Sequence, residues 1–160
     1  MSMIGNFLQL TATELDALIA NPADVESFIY PDDEENESCI DIDKAWHGIH
    51  FMLTGTQYDG DPPLSNVIFS GATIGDDVGY GPARYLTATE VAEVAEALRP
   101  LPPDEFAKRY DAAALTANDI YPQIWSGDED LDYILLWYGT LRDYYADAAA
   151  KGNAMLQYLN

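Results

Sequence analysis

Ile40-Asp41-Ile42-Asp43-Lys44-Ala45-Trp46-His47-Gly48-Ile49-His50-Phe51-Met52-Leu53-Thr54-Gly55 gathers both histidines, one of three tryptophans and one of three lysines of a 160-residue chain. Asp43 reads as the N-cap of a helix from Lys44 to Thr54, and Gly55 as its stop. Trp46, Ile49, His50 and Leu53 fall at i, i+3, i+4 and i+7, a single apolar face, with His47 and Phe51 on the neighbouring stripe. Glycine inside a helix costs about 1 kcal/mol against alanine, so Gly48 points to close approach by another backbone. The fold is organised around this helix.

On its N-terminal side, Met3–Leu10 carries Ile4, Phe7, Leu8 and Leu10 in a strand-like pattern. Thr11-Ala12-Thr13-Glu14 is a capping box that opens a helix with Leu15, Leu18 and Ile19 buried. Asn21-Pro22 caps a second helix with Val25, Phe28 and Ile29 inward. Tyr30-Pro31 ends it, and the acidic run from Asp32 to Glu37 reads as a mobile loop.

On the C-terminal side, Asp61–Phe69 opens a short helix near Pro63. Ser70–Pro82, with four glycines, reads as a turn-rich connector. Ala83–Leu86 is a strand. Thr87-Ala88-Thr89-Glu90 repeats the first cap letter for letter and starts a helix with Val91, Val94, Ala95 and Leu98 inward. Short helices at Asp104–Tyr110 and Ala112–Asp119 lead to the longest one, Asp128–Ala150. Three acids suit its positive start and Lys151 its end. Asn153–Asn160 is a terminal strand. The sum is a helix-rich α+β fold over residues 1–160 as one domain, with a small sheet of about three short strands covered by helices.

Composition bounds the function. Seven basic residues face 28 acidic ones, for a formal charge of −21. Lys and Arg must replace phosphate counterions when nucleic acid is bound, so this balance excludes a nucleic-acid partner and disfavours anionic membranes. No apolar run reaches the roughly 18–20 residues of a span. The start of the chain lacks the pattern of a secretory signal. Cys39 stands alone, without a disulfide partner or a cysteine metal cluster. The expected location is the cytoplasm, and no metal or other cofactor is implied.

The polar candidates for a ligand site are Asp43, His47, His50 and Arg84. The first three follow one another at helical spacing. Arg84 is the one cation between Lys44 and Arg99, and it follows a glycine loop where its guanidinium suits a carboxylate. His50 also shares the Trp46/Ile49/Leu53 face, which fits a buried, hydrogen-bonded core histidine equally well. Asp32, Asp33, Glu34, Glu35 and Glu37 are the candidates for docking a basic protein partner. The tyrosines and tryptophan of the longest helix read as core. No catalytic residue is nominated. Cys39 sits among carboxylates that blunt a thiol, and no Gly-x-Ser-x-Gly elbow occurs.

Several segments carry a resemblance. Met3-Ile4-Gly5, Tyr30-Pro31 before an acidic loop, Ile42-Asp43-Lys44-Ala45-Trp46-His47, Ile49-His50-Phe51 and Leu53-Thr54-Gly55 are similar to the YfbM-like family of small bacterial proteins of unknown function. So are Pro63-Leu64, Tyr121-Pro122 and Gly152-Asn153-Ala154. The resemblance implies an α+β fold in a bacterial cytoplasm and supplies no catalytic residues. By analogy alone, small acidic proteins of this kind turn up as candidate immunity proteins beside toxins. Two functions are therefore carried forward. One is a non-catalytic acidic interaction protein, with toxin neutralisation as its sharpest form. The alternative is a small-molecule binder or enzyme with a pocket beside the Asp43–Thr54 helix.

Overall fold

The computed structural model describes residues 2–160. Five strands, β1 (Gly5–Leu10), β2 (Cys39–Asp41), β3 (Ala72–Asp77), β4 (Pro82–Leu86) and β5 (Ala154–Leu159), form one sheet in the order β2-β1-β5-β4-β3. Every neighbouring pair is antiparallel. Seven α-helices surround it: α1 (Ala12–Ala20), α2 (Val25–Ile29), α3 (Trp46–Thr54), α4 (Ala88–Leu98), α5 (Pro103–Ala107), α6 (Ala112–Ala117) and α7 (Asp128–Ala150). The fold is a helix-rich α+β architecture, and five strands replace the three expected.

The three expected strands are the central ones. β1, β5 and β4 are covered on both faces, so their sequences are rich in apolar residues. The two edge strands lack that pattern. β2 has three residues, and β3 is broken by Gly75 at φ 76° with a register shift between Ile74 and Asp77. Short, bulged and acidic edges resist pairing with other chains.

Alternation along the strands divides the core between the two faces of the sheet. Phe7, Leu86 and Met155 point into a large cluster with α3, α4 and α7. Leu8, Leu10, Ala83, Ala154, Leu156 and Tyr158 point into a smaller one with Leu15 and Leu18 of α1 and with Val25 and Ile29 of α2. Each fully buried leucine of this kind contributes roughly 1.5–3 kcal/mol over its exposed state. Both Thr-Ala-Thr-Glu segments form complete capping boxes, at Thr11 and at Thr87, yet α1 lands on one cluster and α4 on the other.

α3 departs from a one-sided helix. Seven of its nine residues are buried, so it is a central helix with core on nearly all sides. Its start also differs from expectation. Asp43 stands at φ 50°, outside the extended region that an N-cap needs, and opens a 3-10 turn over Asp43–Ala45 that leads into Trp46. Its carboxylate instead accepts from the Tyr133 hydroxyl of α7 at 2.7 Å, while that hydroxyl accepts from the Lys44 N–H. Gly48 meets side chains rather than backbone. A Cβ there would lie 3.1 Å from Trp125 and from Ile134. The Asp61–Phe69 helix is reduced to a 3-10 turn at Leu64–Asn66. Asn21 likewise opens a 3-10 turn, without a side-chain cap.

The tyrosines of α7 tie this helix to the rest of the core. Tyr138 donates to the Leu101 carbonyl and Tyr145 to the Val67 carbonyl, and both are buried.

Candidate functional site

Three directly opposed residues define the most built-up concave site. Phe7 of β1 faces Gln157 of β5, and Gln157 faces Arg84 of β4, so all three project from one side of the sheet. They floor a cavity of about 140 Å³. Trp46 of α3 and Phe69 wall it on the helical side, and Tyr80 stands over it at 38% exposure. The tip of the β3–β4 hairpin brings Tyr80 there. The Tyr80 N–H donates to the Leu159 carbonyl, and a Cβ on Gly79 would lie 2.6 Å from that same oxygen. Glycine at 79 is therefore what lets the hairpin rest on the end of β5.

Most polar groups of this floor are fully engaged. Gln157 accepts from the Ser70 N–H at 2.8 Å and donates to the Asn66 and Val67 carbonyls and to the Tyr145 hydroxyl. It thereby pins the 66–70 segment onto the sheet. Arg84 is the exception. Its Nη1 donates to the Ser70 carbonyl at 2.6 Å, and its guanidinium lies 5.7 Å from the Phe69 ring centroid. Among the described residues no carboxylate pairs with it. Lys44, Arg109 and Arg142 likewise pair with no carboxylate among the described residues. Arg109 and Arg142 have a different task, donating to the last carbonyls of α3 and α4.

The histidines lie nearby but outside this cavity. His47 donates from Nε2 to the Gln57 carbonyl at 3.0 Å, and its Nδ1 accepts from the Tyr121 N–H at 2.9 Å. The accepting Nδ1 fixes the neutral Nε2–H tautomer. His50 makes the parallel bond to the Asp59 carbonyl at 2.9 Å, while its buried Nδ1 has no partner among the described residues. Together the two rings latch the 55–61 loop onto α3. They are 2% and 0% exposed. Burial pushes both pKa values down, for His50 to about 4. Stacking completes the enclosure, with His47 between Trp46 and Tyr58 and with His50 edge-on to Phe69.

The sequence candidates thus separate. Arg84 lines the cavity. His47 and His50 contact two of its walls, Trp46 and Phe69, from behind. Asp43 is engaged by Tyr133. No three His, Cys, Asp or Glu side chains converge as a metal site among the described residues. Cys39 is held by burial at a thiol pKa of about 11, against Tyr158 at 3.1 Å. The acidic candidates Asp32, Asp33, Glu34, Glu35 and Glu37 are all exposed. Asn36 ties their loop back to α2. The Asn36 N–H donates to the Ile29 carbonyl, and its side chain donates to the Phe28 carbonyl. Phe69 and Gln157 were not singled out from the sequence. A lone glutamine within the apolar Ala154–Leu159 run was the one visible signal.

The profile of a family described as a domain of unknown function, DUF1877, matches residues 1–158. Protein YfbM of Escherichia coli strain K12 is 28% identical over 134 residues, which is 81% of this chain and 78% of that protein. The crystal structure of a protein of unknown function, YfbM from Escherichia coli, superposes with a TM-score of 0.75 at 24% identity, covering 98% of this chain and 99% of the other. That likeness establishes the fold.

Proposed function

The chain belongs to the DUF1877 family, and we propose that it is a non-catalytic, acidic interaction protein of the cytoplasm that engages a basic protein partner. Neutralisation of a toxin is the sharpest form of that reading. The observation that carries it is where the charge lies. No Asp or Glu is buried, and only Glu96, Glu105 and Asp147 form ion pairs among the described residues, each with a cation three or four positions away. Asp32, Asp33, Glu34 and Glu37, all exposed, form no ion pair among the described residues and are left for solvent or a partner. A surface of one sign speeds encounter with the opposite sign and makes association salt-sensitive. The employment of both histidines and the raised Cys39 pKa support a role without covalent chemistry. Among the described residues no helix is long and apolar enough to cross a membrane.

The test is isolation of a defined complex. The protein, immobilised at low ionic strength with source-cell extract, should retain a basic protein. That protein, purified, should bind one to one, with an association rate that falls at least tenfold between about 20 and 300 mM salt. Failure to obtain a stoichiometric basic partner at low salt sinks the proposal.

A further inference from the structure

Arg84 and the cavity above it carry a reading independent of any protein partner. We propose that this cavity is a binding site for a small, ring-bearing monocarboxylate, with Arg84 holding the carboxylate and Trp46, Phe69 and Tyr80 enclosing the ring. Three observations combine. A cavity of about 140 Å³ matches one six-membered ring, since an engineered cavity of about 150 Å³ accommodates benzene. Its lining includes Phe7, Trp46, Phe69 and Tyr80, whose rings suit a planar occupant. Its one cationic lining residue has no carboxylate partner among the described residues and most of its donors to spare.

The chemistry of the guanidinium narrows the ligand. One of its five N–H donors is taken by the Ser70 carbonyl. The others include the pair at Nε and Nη2, which matches both oxygens of one carboxylate. The cation–π contact with Phe69 and the bond to Ser70 hold the fork in place before a ligand arrives. A single positive charge neutralises a monoanion. A phosphate ester would bring nearly two charges to a cavity with no second cation in its lining. Gln157 and Asn6 add no competing positive group. The side-chain amide of Asn6 donates to Ile4 and to Asn160.

The probe is 4-fluorobenzoate, followed by fluorine NMR, with nitrogen–proton correlation spectra of the whole protein. One saturable site is expected, with Kd on the order of 0.1–1 mM. Its shifts should centre on residues 5–7, the Trp46 indole and residues 80–84. Benzamide, the neutral isostere, should bind at least about tenfold more weakly, and phenyl phosphate no more tightly. Arg84→Met should weaken the benzoate at least about tenfold, Arg84→Lys less, and Tyr80→Ala several-fold. Absence of saturable binding up to about 10 mM overturns the proposal. So do shifts centred elsewhere, tighter binding of benzamide or phenyl phosphate, or a folded Arg84→Met protein with unchanged affinity. Should that variant not fold, the contrast between benzoate and benzamide and the shift map of the native protein decide alone.

Discussion

Phe69 divides two regions that use polar side chains in opposite ways. On one side, His47 and His50 are buried, neutral and bound to loop carbonyls. On the other, Arg84 is half-buried, charged and bound to one carbonyl, with most of its donors left over. The first arrangement resembles a rivet. Removing the loop carbonyl strands a buried ring nitrogen, and such groups are costly. The second resembles a socket, whose polar group contributes little to holding the fold and is available to something else. A rare residue in an unusual place is therefore not enough to mark a site. What matters is whether spare hydrogen-bonding capacity faces open space: Arg84 lines a cavity with donors to spare, whereas the one unpartnered ring nitrogen among the described residues, His50 Nδ1, is sealed in the core.

The comparison can be broken in a definite order. Trp46 belongs to both regions. It stacks on His47 and Tyr121, walls the cavity and donates to the Met3 carbonyl at 2.8 Å. Trp46→Ala should lower unfolding free energy by about 3–5 kcal/mol in urea titrations, the largest single loss.

Acid comes next. The pKa of His50 falls from 6.5 to about 4 on folding because of burial. The unfolded chain therefore takes up a proton that the native state refuses. Stability from this residue is complete above pH 6.5 and is lost as pH falls toward 4, by an amount on the order of 3 kcal/mol. Carboxylates titrate in the lower part of this window, so the measured quantity is the stability of the native protein minus that of His50→Gln. This difference should shrink or reverse on acidification. A pH-independent difference would mean that His50 is not a buried neutral group.

Smaller still, His47→Phe keeps the ring but abandons the Tyr121 N–H and the Gln57 carbonyl, and should cost about 2 kcal/mol. Arg84→Met should cost about 1 kcal/mol or less, from one hydrogen bond and one cation–π contact. If the Arg84 variant proves as destabilised as the His47 variant, the arginine is a second rivet and the contrast collapses.

Legibility from the sequence followed burial. β1, β4 and β5 were readable because covered strands carry apolar residues, and α7 because three acids and a glycine frame its 23 residues. The edge strands were not. The three residues of β2 and the glycine-broken β3 follow neighbouring backbone rather than a pattern of their own. Asp43 illustrates a different failure. Its cap-like position was visible, but Tyr133, 90 residues away, claims the carboxylate. Of the candidate site, Arg84 could be singled out from charge alone. The row joining it to Phe7 and Gln157 could not, because strand register across β1, β5 and β4 is set by tertiary pairing. The histidines were visible as rare residues on a helix. That their bonds end on loop carbonyls became evident only once the 55–61 segment had a position.

The pairing of β1 with β5 has a consequence for biosynthesis. Gly5 lies opposite Leu159, so the middle of the sheet is made from the first and last strands of the described chain. A nascent polypeptide carries Phe7, Leu8 and Leu10 without their β5 partner until Ala154–Leu159 has left the ribosome. Contacts this distant in sequence slow folding and leave apolar strands available to chaperones or to self-association. The many surface carboxylates then keep neighbouring nascent chains apart during that delay.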